Sequence, residues 1–288
     1  MPIRLHEEDP ALLREAIRFT SAETGFIPRL IEKDYFCSVV LEHLAASGAG
    51  LTFKGSTCLS KIHGAFYRLS EDLDFSISTA LESSRGDRSR SVGRLKAAVE
   101  SIPGTLPAFR ITEPLRGANN STQYNAVVGY ASLIDGHTEP LSIEVGVREP
   151  NLLDPHEGVS KTALLNPING QALVDVHAVP CLSYSEAMAE KLRAALCRSE
   201  VAIRDFFDVD HAARNAGFNA LEPAFMDLLR RKIAIPRTGP VDVSADRMDQ
   251  LRRQLEAQLR PVLRDKEFNR FDLDRAIATV RAVAQALG

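Results

Sequence analysis

No run of apolar residues in this 288-residue sequence approaches the ~18 needed to cross a bilayer as a helix, so no membrane-spanning helix is expected. The opening residues, Met1-Pro2-Ile3-Arg4-Leu5-His6-Glu7-Glu8-Asp9, lack the apolar segment of a secretory signal. Cysteine is scarce. Cys37, Cys58, Cys181 and Cys197 show no C-x-x-C spacing, which predicts reduced thiols in a cytoplasmic protein and neither a disulfide frame nor a zinc site. No two of the seven histidines have zinc-ligand spacing, and His63 and His211 read as ordinary helix residues. The G-x-x-x-x-G-K-[ST] phosphate loop is missing, and Gly48, Gly50 and Gly55 do not fit G-x-G-x-x-G. Ser-His-Asp hydrolysis has no nucleophile elbow to rest on. A surplus of one charge is missing too, the net charge being −3. That balance is uneven, because residues 226–288 hold 13 Lys/Arg against 9 Asp/Glu, a mildly basic stretch able to meet RNA phosphates.

What is present centres on Phe53-Lys54-Gly55-Ser56-Thr57 and, further on, Arg68-Leu69-Ser70-Glu71-Asp72-Leu73-Asp74-Phe75. The first run closes a short strand (51–53) at Gly55-Ser56 and opens a helix, a corner where backbone N–H groups approach a phosphate closely. The second alternates like a strand, so Asp72 and Asp74 share one face while Leu73 and Phe75 take the other. Two neighbouring carboxylates are hard oxygen ligands of the kind Mg²⁺ and a nucleoside triphosphate require. A later strand over 141–147 puts Leu141, Ile143, Val145 and Val147 on one side and Ser142 and Glu144 on the other, so Glu144 can join the acid pair from a neighbouring strand.

Around these runs, apolar spacing predicts helices over 11–22 and 28–46, a polar loop over 83–90, a helix over 92–102 and strands over 109–113 and 124–134. Residues 152–171, with prolines in and near them, read as a connection. From Ser185 onward the pattern is helical, with segments near 185–199, 202–215, 222–234, 245–264 and 273–287. The first of these places Ala187, Lys191, Ala194 and Arg198 on one side, where small alanines would give two cations an open path to a ligand. The second carries Arg204, Asp205, Asp208 and His211 and stops at Gly217.

The strand, Gly-Ser turn, helix and Asp-x-Asp unit resembles the nucleotidyltransferase superfamily related to polymerase β. With 15 residues between Ser56 and Asp72, it is most similar to the AbiEii-type nucleotidyltransferase toxins of abortive-infection toxin–antitoxin pairs. Ile31-Glu32-Lys33-Asp34-Tyr35, Ile143-Glu144-Val145, Ala189-Glu190-Lys191-Leu192-Arg193-Ala194 with Arg198, and Arg204-Asp205-Phe206-Phe207-Asp208-Val209 also carry this resemblance, which spans about 27–218. Two positions depart from the family pattern: Ser56 stands where a second Gly is usual, and Glu144 where the third acid is Asp.

The resemblance implies an α+β fold in which a nucleotidyltransferase-like mixed sheet flanked by helices (1–182) precedes a helical C-terminal bundle (183–288), with the active site between them. It implies Asp72, Asp74 and Glu144 as ligands of Mg²⁺, and Gly55, Ser56 and Thr57 as the turn that binds the NTP phosphates. It further implies Lys191 as a phosphate contact, with Arg198 and Arg204 beside it, and a catalytic role for Asp208, with Asp205 locking Lys191 or an Arg in place. The implied reaction is NMP transfer to RNA, with the tRNA 3′ end as acceptor and a cognate antitoxin as partner. Transfer to a small-molecule or protein hydroxyl, and nucleotide binding without transfer, remain as alternatives. For Ser70, both a turn role and a regulatory phosphorylation are open.

Overall fold

The computed structural model describes residues 3–174 and 177–288, and within it the chain packs as two compact units, 1–182 and 183–288. In the first unit a short helix α1 (Leu5–Glu8) leads to α2 (Pro10–Thr24), which Asp9 caps by accepting from the Leu12 N–H at 2.9 Å. Gly25, at φ +79°, ends α2 in the left-handed conformation that lets the chain turn away. Helix α3 (Pro28–Ala45) starts with Pro28 in its first turn and is buried on nearly every side.

Strand β1 (Thr52–Lys54) runs into α4 (Gly55–Cys58), which continues as a π-helical turn over Leu59–His63. Next come β2 (Leu73–Ser76), α5 (Arg85–Ser91), α6 (Gly93–Thr105), β3 (Phe109–Ala118), β4 (Gln123–Ala131), β5 (Thr138–Gly146), β6 (His156–Ser160) and β7 (His177–Cys181). Their order in the seven-stranded sheet is β3-β4-β5-β2-β1-β7-β6. The sheet is mixed, since β2 pairs parallel to β5 and β1 parallel to β7 while the other neighbours are antiparallel. One face is apolar: Phe53, Leu73, Phe75, Ile143 and Val145 bury there with the aromatic side chains of α3. Phe36 stacks on Tyr130 with ring centroids 4.0 Å apart.

Several sequence expectations are corrected. The stretch read as a loop over 83–90 is α5, because Ser84 and Asp87 form a reciprocal capping box that nucleates a helix from polar residues. Strand β3 runs to Ala118 rather than to 113, carried past Pro114 by register shifts. The connection read over 152–171 contains β6, which together with β7 closes one side of the sheet. Neither shows the alternation that marks a strand in sequence, since β6 carries a glycine and β7 a proline.

The second unit contains α7 (Tyr184–Cys197), α8 (Ile203–Asn215), α9 (Pro223–Ile233), α10 (Ala245–Gln254), α11 (Asp265–Arg270) and α12 (Leu273–Leu287). The single helix predicted over 245–264 instead breaks into α10, a π turn at Leu255–Leu259 and a 3₁₀ turn at Arg260–Val262, where Pro261 removes a backbone donor. No described helix is long and apolar enough to cross a membrane.

Candidate active site

Backbone geometry at Gly55 defines the site. Its φ is +74°, and a Cβ built on it would fall within the Asp74 carboxyl group, 2.8 Å from both Cβ and Cγ. Two independent demands therefore exclude any other residue: a left-handed backbone, and the close approach of the Asp74 side chain to the start of α4. The sequence brings Asp74 there through register, because Lys54 lies directly opposite Asp74 and Asp74 directly opposite Glu144. The row continues, with Glu144 opposite Asn125 and Asn125 opposite Arg116. Residues paired this way share one face of a sheet. Lys54, Asp74, Glu144, Asn125 and Arg116 thus form a polar row across five strands, on the face opposite the core. Leu73, Phe75, Ile143 and Val145 are buried behind it, while Asp72 and Asp74 are half-buried and Glu144 is exposed. Asn125 and Arg116 were not legible beforehand, since only strand register reveals that they belong to this row.

The loop before Asp72 is braced from below. The Thr57 hydroxyl donates to the Asp72 carbonyl oxygen, so the hydroxyl of the turn's third residue is committed to positioning the acid. The hydroxyls of Ser56 and Ser70 lie 3.1 Å apart, and Ser70 is buried. Lys33 donates to Glu71 at 3.0 Å, and Arg29 joins Glu71 at 2.9 Å to Glu139 at 3.1 Å. Burial pushes the Glu71 carboxyl up, but the Lys33 and Arg29 contacts outweigh it and hold the group below its ordinary value. Each charge of the Glu32-Lys33-Asp34 run in α3 has its own task. Glu32 accepts from the Ser132 hydroxyl at 2.7 Å and from the Leu133 N–H at 2.6 Å, at the turn after β4. Asp34 binds the fully buried Lys61 ammonium and accepts from the Ala163 N–H at 2.8 Å. These residues form the platform on which Asp72 and Asp74 are carried.

The donor chemistry can be tested against the implied Mg²⁺. Asp72, Asp74 and Glu144 offer hard oxygens on an open face, the set this ion takes when substrate phosphates and water complete its shell. They do not form a closed cage. Among the described residues, the group of three ligand-bearing side chains whose donor atoms all lie within 4.8 Å of one another is Cys58, His63 and Cys181. A site of this kind fits a cation that arrives with a triphosphate. A cavity of about 690 Å³ lies elsewhere in the first unit, lined by Val39, Glu42, His43, Arg94 and Ala98, and none of the predicted site residues lines it.

In the second unit the predicted residues lie on α7 and α8. Ser183 caps α7 by accepting from the Glu186 N–H at 3.2 Å, and that helix presents Lys191 to α8. The Lys191 ammonium lies 2.8 Å from Asp205 and 3.0 Å from Asp208, and Arg198 reaches Asp205 at 3.4 Å. Both aspartates therefore hold the lysine, which is 12% exposed, while the Asp208 side chain is fully buried. The path that flanking alanines would leave open is accordingly narrow, since Ala187 is itself buried. Arg204 is half-buried on the same helix as the two aspartates. Much of the basic tail is also spent internally: Arg230 pairs with Asp227, Arg252 with Asp249 and Asp274, and Arg275 with Asp210.

The fold as a whole has known counterparts. The chain is similar in structure to MenT4, a nucleotidyltransferase toxin from Mycobacterium tuberculosis H37Rv, with a TM-score of 0.52 over 95% of this chain and 97% of that one at 19% identity. It also aligns with JHP933 from Helicobacter pylori at a TM-score of 0.47 and 16% identity, covering 97% of this chain and 92% of the other. The first likeness places the protein among folds that nucleotidyltransferases use. The sequence matches no curated protein. It does match the family model for the nucleotidyl transferase AbiEii toxin of type IV toxin–antitoxin systems, over residues 39–285. This chain belongs to that family.

Proposed function

We propose that the protein transfers a nucleoside monophosphate from an NTP to an RNA hydroxyl, with the tRNA 3′ end as acceptor, and thereby blocks translation until an antitoxin partner counters it. The observation that carries this reading is the register of Asp74 against Glu144, beside a glycine whose missing side chain is filled by the Asp74 carboxylate. Asp72, Asp74 and Glu144 are the residues that would hold Mg²⁺. When bound, that ion supplies charge neutralisation at the triphosphate.

The remaining work falls to groups of the chain. N–H groups of the Gly55-Ser56-Thr57 turn and the Ser56 hydroxyl bind phosphate oxygens. The Thr57 hydroxyl, already engaged, keeps Asp72 in place. Glu144, the most exposed of the three acids, accepts the proton of the attacking hydroxyl as its oxygen approaches the α-phosphate, and pyrophosphate leaves. Asn125 and Arg116 extend the same row and offer an amide and a guanidinium to the acceptor's backbone. In the second unit Lys191 is assigned as a phosphate-contacting point charge with Arg198 and Arg204. Asp205 and Asp208 fix its ammonium.

The test incubates purified protein with each labelled NTP, Mg²⁺ and total tRNA. Labelled RNA that disappears with Asp74→Ala, together with loss of growth arrest by that variant, is expected. Label on protein or on a small metabolite would instead give the reaction a different acceptor. Arrest that persists in Asp74→Ala would remove the metal mechanism.

A further inference from the structure

Away from the acid row, four side chains with metal-ligand chemistry meet where no sequence motif announces them. Cys58 closes α4, His63 closes the π turn that follows it, and Cys181 ends β7. Their donor atoms lie within 4.8 Å of one another. His156 begins β6 directly opposite Cys181, and its Nε2 is 3.6 Å from the Cys181 sulfur. The His63 and His156 rings are tilted to each other, with centroids 5.6 Å apart.

We propose that Cys58, His63, Cys181 and His156 form a Cys2His2 site for zinc. Two thiolates and two imidazoles are a set that a structural zinc ion takes in tetrahedral geometry. The surroundings match such a site in three further ways. The Nε2 of His63 is 3.1 Å from the Leu182 carbonyl oxygen, so it donates there and leaves Nδ1 as the ligand atom, the backbone contact by which metal-bound histidines are commonly oriented. Gly158 makes room for the sulfur, since a Cβ there would stand 2.6 Å from the Cys181 Sγ and 2.7 Å from Ile62. Cys58 and Cys181 are fully buried, whereas His156 is exposed on the edge strand and gives the ion a way in; its imidazole swings to the fourth position.

The ion would tie the far end of the segment that starts at Gly55 to the strand pair β6 and β7. None of this depends on the transfer reaction.

The test uses full-length, tag-free protein purified under reducing conditions, stripped with chelator and titrated with Co²⁺ in excess Mg²⁺, alongside metal analysis of the protein as isolated. One zinc per chain as isolated is expected. One cobalt per chain should bind with thiolate-to-cobalt charge-transfer bands and the visible bands of a tetrahedral ion. Cys58→Ser should weaken the charge-transfer bands, since Cys181 alone remains as a thiolate, and Cys58→Ser combined with Cys181→Ser should abolish them. His156→Ala, at an exposed position where folding is insensitive, should move the titration to more than about tenfold higher Co²⁺, since losing a ligand costs at least as much as losing a group that orients one. Zinc should raise the melting temperature of the wild type and leave that of Cys58→Ser unchanged. Cobalt that binds without charge-transfer bands, bands of full strength in Cys58→Ser, a His156→Ala titration equal to wild type, or a Cys58–Cys181 disulfide in the reduced preparation would each overturn the proposal.

Discussion

On the open face of the sheet, Asp74 and Glu144 lie side by side on adjacent strands and keep access to solvent. In the helical unit, Asp205 and Asp208 close on Lys191 with almost none. Both places hold a pair of carboxylates, and what surrounds each pair differs. Carboxylates held next to each other near water attract a cation from solution, and their removal costs little folding energy. Carboxylates buried with an ammonium satisfy one another, and removing one partner strands the others in a medium that does not solvate them. The motif residues thus divide into carboxylates left open on a sheet face and carboxylates engaged with a lysine between two helices.

Substitutions sharpen that contrast. Asp74→Asn should lower nucleotide transfer by at least about a thousandfold, the loss of several kcal/mol of metal-assisted stabilisation, with the melting temperature nearly unchanged. Transfer rate and thermal denaturation measured on the same preparation check both halves. Lys191→Ala should lower transfer as well and, unlike the Asp74 variant, also destabilise the protein by about 3 kcal/mol, because the buried carboxylates of Asp205 and Asp208 then lose the ammonium they share. Urea denaturation reads this, and a Lys191→Ala variant as stable as wild type would erase the distinction drawn here. Gly55→Ala should cost about 1–3 kcal/mol through its left-handed backbone and should also displace Asp74, so that stability and transfer fall together.

The smallest effect concerns protonation. Burial first, and Arg4 with it, hold His6 below its ordinary value against the opposing pull of Glu7 and Glu8. The unfolded chain therefore binds a proton that the folded one resists. Stability is retained above the ordinary histidine value of about 6.5 and falls as the pH drops from there toward the lowered one. His6→Gln should flatten that part of the stability–pH curve, measured by denaturation from neutral pH to about pH 5.5.

Much of the site was readable from the chain, because its parts are local. A left-handed glycine between strand and helix, and acids two apart in an alternating run, need only a few neighbouring residues to be recognised; Gly55 has the left-handed backbone and Asp74 the strand position expected of them, while Asp72 lies just ahead of β2. Helices α2, α3 and α8 were legible for the same reason, their apolar spacing lying within each segment. Helix α5 was not, since its signal is a single capping box in a polar stretch.

The sequence by itself determined the turn, the acid pair and the family, since all three are patterns written along the backbone at short range. Tertiary structure alone decided that Asn125 and Arg116 share a row with Glu144, that Lys191 is gripped by two aspartates, and that Cys58, His63, His156 and Cys181 meet. The physical reason is that strand register and helix packing are set by the burial of apolar faces far apart in the chain. Polar side chains on the opposite faces come together as a consequence, without any spacing of their own.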